Sequence, residues 1–593
     1  MRYRPHVTKR AVLKKRMTRF PAPIKIAAIL SLFAFLSATA VFGQRVSEGQ
    51  REIPEEIFYN GKVTTVDSGF QIQEAFAIRG KKFFAVGSNA VVKALAGPTT
   101  ILVDLKRHAV IPGLMDNHTH QYYAALVEFR GIDLVGVPSL AEMLKRLREA
   151  VAKAKPGETI VTTAGWDPRN FPEKRGPERN DLDQLSSDHP IVIFQSRNGV
   201  RVNRAALNAV GISRETKLFE GDPVQKDAEG EPAGVFTNPG PVNYITEKLV
   251  RAPSEAELKE MLRKIQDELH GWGLTSTREV ELPPEIMRAY GSLLHDGKLT
   301  MRIAMGLDVS SADADKMEQI LKPWGVGSGF GNHQLRLDSI GEFGTEAGAD
   351  KHYLREPYAN RTDRGELRIT PAQLRQAMLT INRYGWRPSI HVMGDAALDA
   401  VLDAYEAADA EKSIRDKRWV VEHIPLVHPD QMERMARLGV VVSAQIQPYF
   451  SADRFIRDYG KERADDMVPM RELIDHHLHV STGSDWGGLG DVYEMNPFVN
   501  IYFYVSRKTK AGTMAGAAQK ISREEALRVS TINNAYMTFE ESVKGSIEPG
   551  KLADFVILSQ DILTIAEDKI PSIRPLATYV GGQKVFSSKD GGF

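Results

Sequence analysis

The sequence predicts an α/β protein built on a TIM-type (β/α)8 barrel, with a small β-sandwich made from both chain ends and a large insertion after the first barrel strand. Three observations carry that prediction. Apolar strand-like runs alternate with helix-compatible stretches through the middle of the chain, the pattern of a parallel sheet with crossover helices. Eight such runs can be counted, the number that closes this kind of barrel. Short β-branched and aromatic runs broken by Gly and Asn stand at both ends, and 593 residues are too many for a single hydrophobic core.

The eight candidate barrel strands are residues 109–116, 273–280, 300–308, 335–343, 388–393, 419–424, 440–446 and 479–485. Helix-compatible stretches follow most of them, for instance residues 396–408, 429–438 and 524–529. Residues 52–108 and 541–593 are expected to meet in one composite β-sandwich, and 109–138 plus 260–540 to form the barrel. The first connection is far too long for a simple β/α unit. Residues 139–259 therefore read as an insertion, with strands of its own at 159–165 and 191–195. Placed after the first strand, it is expected to sit over the catalytic face as a lid.

Composition removes several classes of function. Hydrophobic residues make up 42% and charged residues 26%, ordinary for a globular protein. With 77 basic against 76 acidic residues the net charge is +1, which gives no support to a nucleic-acid binder. There is no cysteine, so disulfides, thiolate metal sites and cysteine nucleophiles are excluded. Any metal must be held by histidine, carboxylate or a modified lysine.

The first 43 residues read as a signal peptide. Residues 2–19 are dense in Arg and Lys, residues 26–42 form an apolar run, and Ala38-Thr39-Ala40 fits a small-x-small cleavage site. An uncleaved anchor is the alternative. The expectation is a bacterial periplasmic or secreted protein that does not stay in a membrane once the signal is removed. Its expected partner is a small-molecule substrate, and a homodimer is one option for its assembly.

The chemistry concentrates in Val110-Ile-Pro-Gly-Leu-Met-Asp-Asn-His118-Thr-His120, where an apolar strand ends in His-x-His. Residues two apart on a strand point the same way, so these imidazoles form a ready pair for a metal such as Zn²⁺. Taken alone, such a pair reads equally well as two loop histidines. His391 in Ser-Ile-His-Val-Met-Gly-Asp, His423 in Val-Val-Glu-His and Asp485 in Thr-Gly-Ser-Asp-Trp end the fifth, sixth and eighth strands. Five such residues at C-terminal strand ends define the active face of a barrel.

This pattern resembles the amidohydrolase superfamily, and within it the branch of N-substituted formamide deformylases and related exported metal-dependent amidohydrolases. The resemblance runs through residues 111–120, Gly165-Trp-Asp, Arg179-Asn-Asp-Leu-Asp, Gly230-Glu-Pro-Ala-Gly-Val, His391-Val-Met-Gly-Asp, Val421-Glu-His423, Gly439 to Pro448, Gly483-Ser-Asp485 and Gly545 to Leu558. It implies that His118 and His120 hold the more buried metal, that His391 and His423 serve a second metal or the substrate carbonyl, and that Asp485 is the general base. The implied cofactor is one or two divalent ions, most simply Zn²⁺. Many relatives place a carbamylated lysine on the fourth strand as a bridge between two ions. Here that strand reads Leu335-Arg-Leu-Asp-Ser-Ile-Gly-Glu342-Phe-Gly, so Glu342 is the candidate bridge; a single-metal site is expected if it points away. An Asp-Gly-His element often found in the insertion of relatives is replaced by Ser196-Arg-Asn198-Gly199. Trp166, Asn198 and Trp486 are the candidate substrate contacts.

The expected activity is hydrolysis of a non-peptide C–N bond, in an amide, formamide or cyclic amide, by metal-activated water. The alternatives are an ester or carbamate hydrolase on the same site, and an exported binding protein that has lost turnover.

Overall fold

The computed structural model describes residues 52–593 apart from 129–130, 135, 169–170, 197–198, 217–223, 238, 310–312, 349–350, 488–494 and 590. The expected signal segment and the substrate contact assigned to Asn198 lie outside the described residues.

Eight parallel strands form the central sheet: β1 (Leu114–Thr119), β2 (Leu274–Leu282), β3 (Arg302–Leu307), β4 (Leu335–Gly344), β5 (Pro388–Val392), β6 (Val420–His423), β7 (Val441–Ala444) and β8 (His479–Thr482). Each pairs in parallel with the next in chain order, the arrangement of successive β/α units. Their near-continuous burial is that of a sheet covered on one side by helices and filled on the other by its own side chains. The first and last strands meet across a seam stitched largely by side chains. The Asn534 amide donates to the Met115 and Thr482 carbonyls and accepts from the Thr482 N–H. At the upper end the Asp485 N–H donates to His118 O and the His120 N–H to Trp486 O.

The strand expected over residues 109–116 divides in two. Ala109–Pro112 joins a six-stranded sheet, between Lys62–Thr64 and Phe555–Leu558, and only Leu114 onward enters the barrel. Gly113 is the pivot. A Cβ there would stand 2.2 Å from Thr275 Oγ1, so the chain passes β2 too closely for any side chain.

The six-stranded sheet also takes Ile72–Gln73, Pro575–Val580 and Gln583–Ser587, so strands from both chain ends pair in it. Lys62–Thr64 belongs to this sheet, and the run just before it, Glu56–Tyr59, belongs to a four-stranded one with Ala75–Arg79, Lys82–Gly87 and Ile101–Asp104. Between the two sheets lies an aromatic core: Phe58 stacks on Phe76 at 4.9 Å and Phe555 on Tyr579 at 4.4 Å. The long connection after β1 carries a separate four-stranded sheet (Ile160–Val161, Ile191–Ser196, Gly199–Val202, Val235–Phe236) with its own apolar clusters.

Candidate active site

The site is assembled at the C-terminal ends of the barrel strands. β1 ends on His118 and His120, both buried and both aimed inward because they are two residues apart. Left-handed backbone turns three side chains into the same space: His423 at φ 68, Asp485 at φ 59 and Glu281 at φ 55. Such conformations cost non-glycine residues about 1–3 kcal/mol each and collect where function demands a fixed geometry.

Glu342 stands at the centre. The register of β4 against β5 shifts between Ile340 and Phe343, and Gly341 in the gap adopts φ 103 with the Ser389 carbonyl too near for a Cβ. Irregularities of this kind re-aim a side chain. One Glu342 oxygen, Oε2, lies 3.2 Å from His118 Nε2 and 3.6 Å from His120 Nε2. The other, Oε1, lies 2.6 Å from His391 Nδ1 and 2.8 Å from His423 Nε2. Asp485 Oδ1 closes the first side, 3.5 Å from His118 Nε2 and 3.4 Å from His120 Nε2. The sequence-predicted set His118, His120, Glu342, His391, His423 and Asp485 is thus brought together.

The electrostatics of this cluster are those of a cation site. Burial opposes the charge on Glu342, yet the fields of His118, His391 and His423 hold its carboxyl well below the usual range. Burial likewise works against Asp485, and its hydrogen bond to His120 with the charges of His118 and His423 keeps it ionised. For His391 burial is outweighed by Glu342, and the imidazole is pushed up to about 9. Protons on imidazoles are compensating carboxylate charge that a metal would otherwise meet.

A divalent ion fits these residues. The ligand atoms of His118, His120 and Asp485 lie within 4.8 Å of one another, and so do those of His118, Glu342 and His423. Among the described residues His118 Nε2 is fully buried with no aligned hydrogen-bond partner, a costly arrangement for a polar atom unless something else satisfies it. Imidazole nitrogen and carboxylate oxygen are the donors that suit Zn²⁺ and its neighbours.

The aromatic candidates fare differently. Trp166 is 3% exposed, stacks on Phe171 and donates its indole N–H to Phe194 O, so it packs in the core of the insertion. Trp486 is buried in the barrel core and contributes main-chain atoms to the seam beside Asp485. Asp395 accepts from the Arg355 N–H and His428 at the start of helix Asp395–Glu411.

Four neighbours are given no role by the sequence reading, although three of them lie inside the quoted motifs. Glu422 Oε2 lies 2.7 Å from His118 Nδ1, and Glu281 Oε2 faces His120 Nδ1 at 3.7 Å. Gln447 contacts His423 Nδ1 at 2.8 Å, and Gln445 accepts the His423 N–H. The available signal is charge inside apolar strands: Glu422 follows Val420-Val421, and Arg278, Glu279 and Glu281 all lie within β2.

A parallel barrel with histidines and carboxylates converging at its C-terminal mouth defines a class, the metal-dependent hydrolases. Residues 102–586 match the model of the amidohydrolase family, and the chain belongs to that family. The family is one of metal-dependent hydrolases, and the donor set at the barrel mouth agrees with that. Over 549 residues it is 28% identical to the protein LONG AFTER FAR-RED 3 of Arabidopsis thaliana, covering 89% of this chain and 91% of that one. It is 25% identical to an N-substituted formamide deformylase of Arthrobacter pascens, covering 88% and 96%. A metal-dependent hydrolase of Pyrococcus horikoshii superposes with a TM-score of 0.69 at 22% identity, covering 86% of this chain and 99% of the other, which shows the shared fold.

Proposed function

We propose that this protein is a binuclear amidohydrolase that cleaves the C–N bond of a small amide, with formamides and cyclic amides as the first substrates to try. The observation that carries the reading is the split of Glu342, one oxygen toward His118 and His120 and the other toward His391 and His423. A carboxylate so placed would offer one oxygen to each half of a two-ion site without carbamylation. His118, His120 and Asp485 would hold one ion, His391 and His423 the other, and Zn²⁺ suits the donor set. Bound there, a divalent cation supplies Lewis acidity, polarising a carbonyl and lowering the pKa of water from ~15.7 toward ~7.

The chain's own groups supply the rest. Asp485 takes the proton of the attacking water and returns it to the departing nitrogen, so that a neutral amine leaves. His423 faces the carbonyl side, and its backbone N–H is fixed by Gln445. His391, with 36% of its side chain exposed, is the ligand open to incoming substrate. The insertion after β1 is the lid of this reading, and similarity to a formamide deformylase supports the substrate class. The basic and apolar segment of residues 1–43 supports export to a periplasm-like space; among the described residues no helix is long and apolar enough to cross a membrane.

The test joins metal content with a substrate panel. Purified protein should carry two divalent ions per chain and hydrolyse N-substituted formamides or cyclic amides faster than matched esters and carbamates. Faster ester or carbamate cleavage reassigns the bond, and metal-loaded protein that turns over no member of the panel reassigns the chain as a binder.

A further inference from the structure

We propose that Glu422 is a positioning residue, which holds His118 in the one tautomer that leaves Nε2 open to a metal because Arg278 and Ser389 pin its other oxygen. This rests on the metal-centre reading above. The Glu422 carboxylate is completely buried and has its two oxygens committed to different partners. Oε2 meets His118 Nδ1 at 2.7 Å, while Oε1 accepts from Arg278 Nη1 at 2.7 Å and from Ser389 Oγ at 2.6 Å. An ionised carboxylate only accepts, so the facing Nδ1 must carry hydrogen, and in the neutral ring that a metal requires the lone pair is left on Nε2.

What fixes Glu422 lies deeper in the barrel. Arg278 gives its Nε to Asp338 at 2.6 Å, its Nη2 to Ser339 at 3.0 Å and a second Nη1 contact to Asn117 O at 3.1 Å. Asp338 is shared with Arg387, whose Nη1 donates to Met537 O at 2.6 Å. Glu422, Arg278, Asp338 and Arg387 thus alternate in sign, all four buried. Breaking one member leaves an uncompensated charge, so the row resists rotation of the Glu422 carboxylate. Partners of this kind raise the basicity of a ligating histidine and fix its ring.

Glu422→Gln should therefore behave unlike an ordinary isosteric change. Arg278 donates only, so it claims the amide oxygen and turns the NH₂ toward His118 Nδ1. Nδ1 must then accept, Nε2 takes the hydrogen, and the ligand is lost although the side chain has kept its size. Adding Arg278→Met removes the donor and lets the amide offer its oxygen to His118 again.

The experiment measures zinc dissociation constants by competition with a chromophoric chelator, with thermal melts of the metal-free proteins alongside. Glu422→Gln should bind zinc about 10- to 100-fold more weakly, and the double variant should recover most of that loss. Glu422→Asp, still acceptor-only, should bind more tightly than Glu422→Gln. Nitrogen-15 shifts of zinc-loaded wild-type protein should show His118 carrying hydrogen on Nδ1. Wild-type affinity in Glu422→Gln overturns the proposal. If the double variant fails to fold, Glu422→Asp binding no better than Glu422→Gln overturns it equally. Wild-type protein that binds neither zinc nor manganese overturns the metal centre itself, a different failure.

Discussion

The backbone N–H of Asp485 donates to the carbonyl oxygen of His118 at 2.9 Å, so the bond that closes the barrel also sets the spacing between the proposed base and the first ligand. Barrel closure and site geometry are one object here. Asp485→Asn keeps that backbone bond, and Asn tolerates the left-handed conformation, so the fold should persist. With the proton acceptor gone, kcat should fall by about 10²- to 10⁴-fold while zinc is retained. Turnover and zinc content measured on one preparation check this; full activity would remove Asp485 as the base.

Glu342→Gln tests the bridge. The amide has a single oxygen, so it can face His118 and His120 or His391 and His423, and not both. Zinc content should drop from two ions per chain toward one, read by elemental analysis after equilibration in limiting metal. Two ions held as firmly as in the parent would mean that Glu342 bridges nothing.

Much of this architecture is legible in the sequence because the strands are buried on both faces and read as apolar runs. Pro388, Leu335 and His479 begin observed strands where the pattern puts them, and helix Pro429–Leu438 matches residue for residue. The break in the first strand is hidden because Pro112-Gly113 looks like part of one apolar run, whereas its meaning is steric: it marks where the chain crosses Thr275. His118, His120, His391, His423 and Asp485 are legible because each terminates a strand. Glu422 is not, since what it does is decided by Arg278 and Ser389, 144 and 33 residues away in the chain. Trp166 sits in a motif yet faces a core rather than a pocket, because spacing says nothing about which side of a loop an indole faces.

Acid stability should carry the signature of Glu540. Burial opposes its charge, but Lys544, Arg336 and His333 outweigh that and pull the carboxyl from 4.5 down to about 2. A carboxyl depressed on folding contributes stability above its unfolded value, and that contribution is lost as the pH falls through the folded one. The window is therefore pH 4.5 down to about 2, and the contribution at neutral pH is about 3 kcal/mol. Lys544 is itself lowered, chiefly by burial, with Glu540 opposing that shift. Urea melts across the range should lose stability more steeply in the parent than in Glu540→Gln; identical slopes would remove the assignment.

Gly341→Ala should damage the metal site and the fold together. The position has φ 103, and a Cβ would meet Ser389 O at 2.4 Å and the Phe343 N at 2.8 Å, so β5 or Glu342 must move. The expected loss of stability is ~1–3 kcal/mol. Gly297 provides the control: it is left-handed at φ 68, and a Cβ added there would have nothing within 4 Å, so Gly297→Ala bears the conformational cost alone. Both variants should melt earlier than the parent, and only Gly341→Ala should also lose zinc, because its neighbour Glu342 reaches both halves of the site. If Gly341→Ala held its full zinc complement, the close passage of β4 over Ser389 would matter for stability and not for aiming the carboxylate.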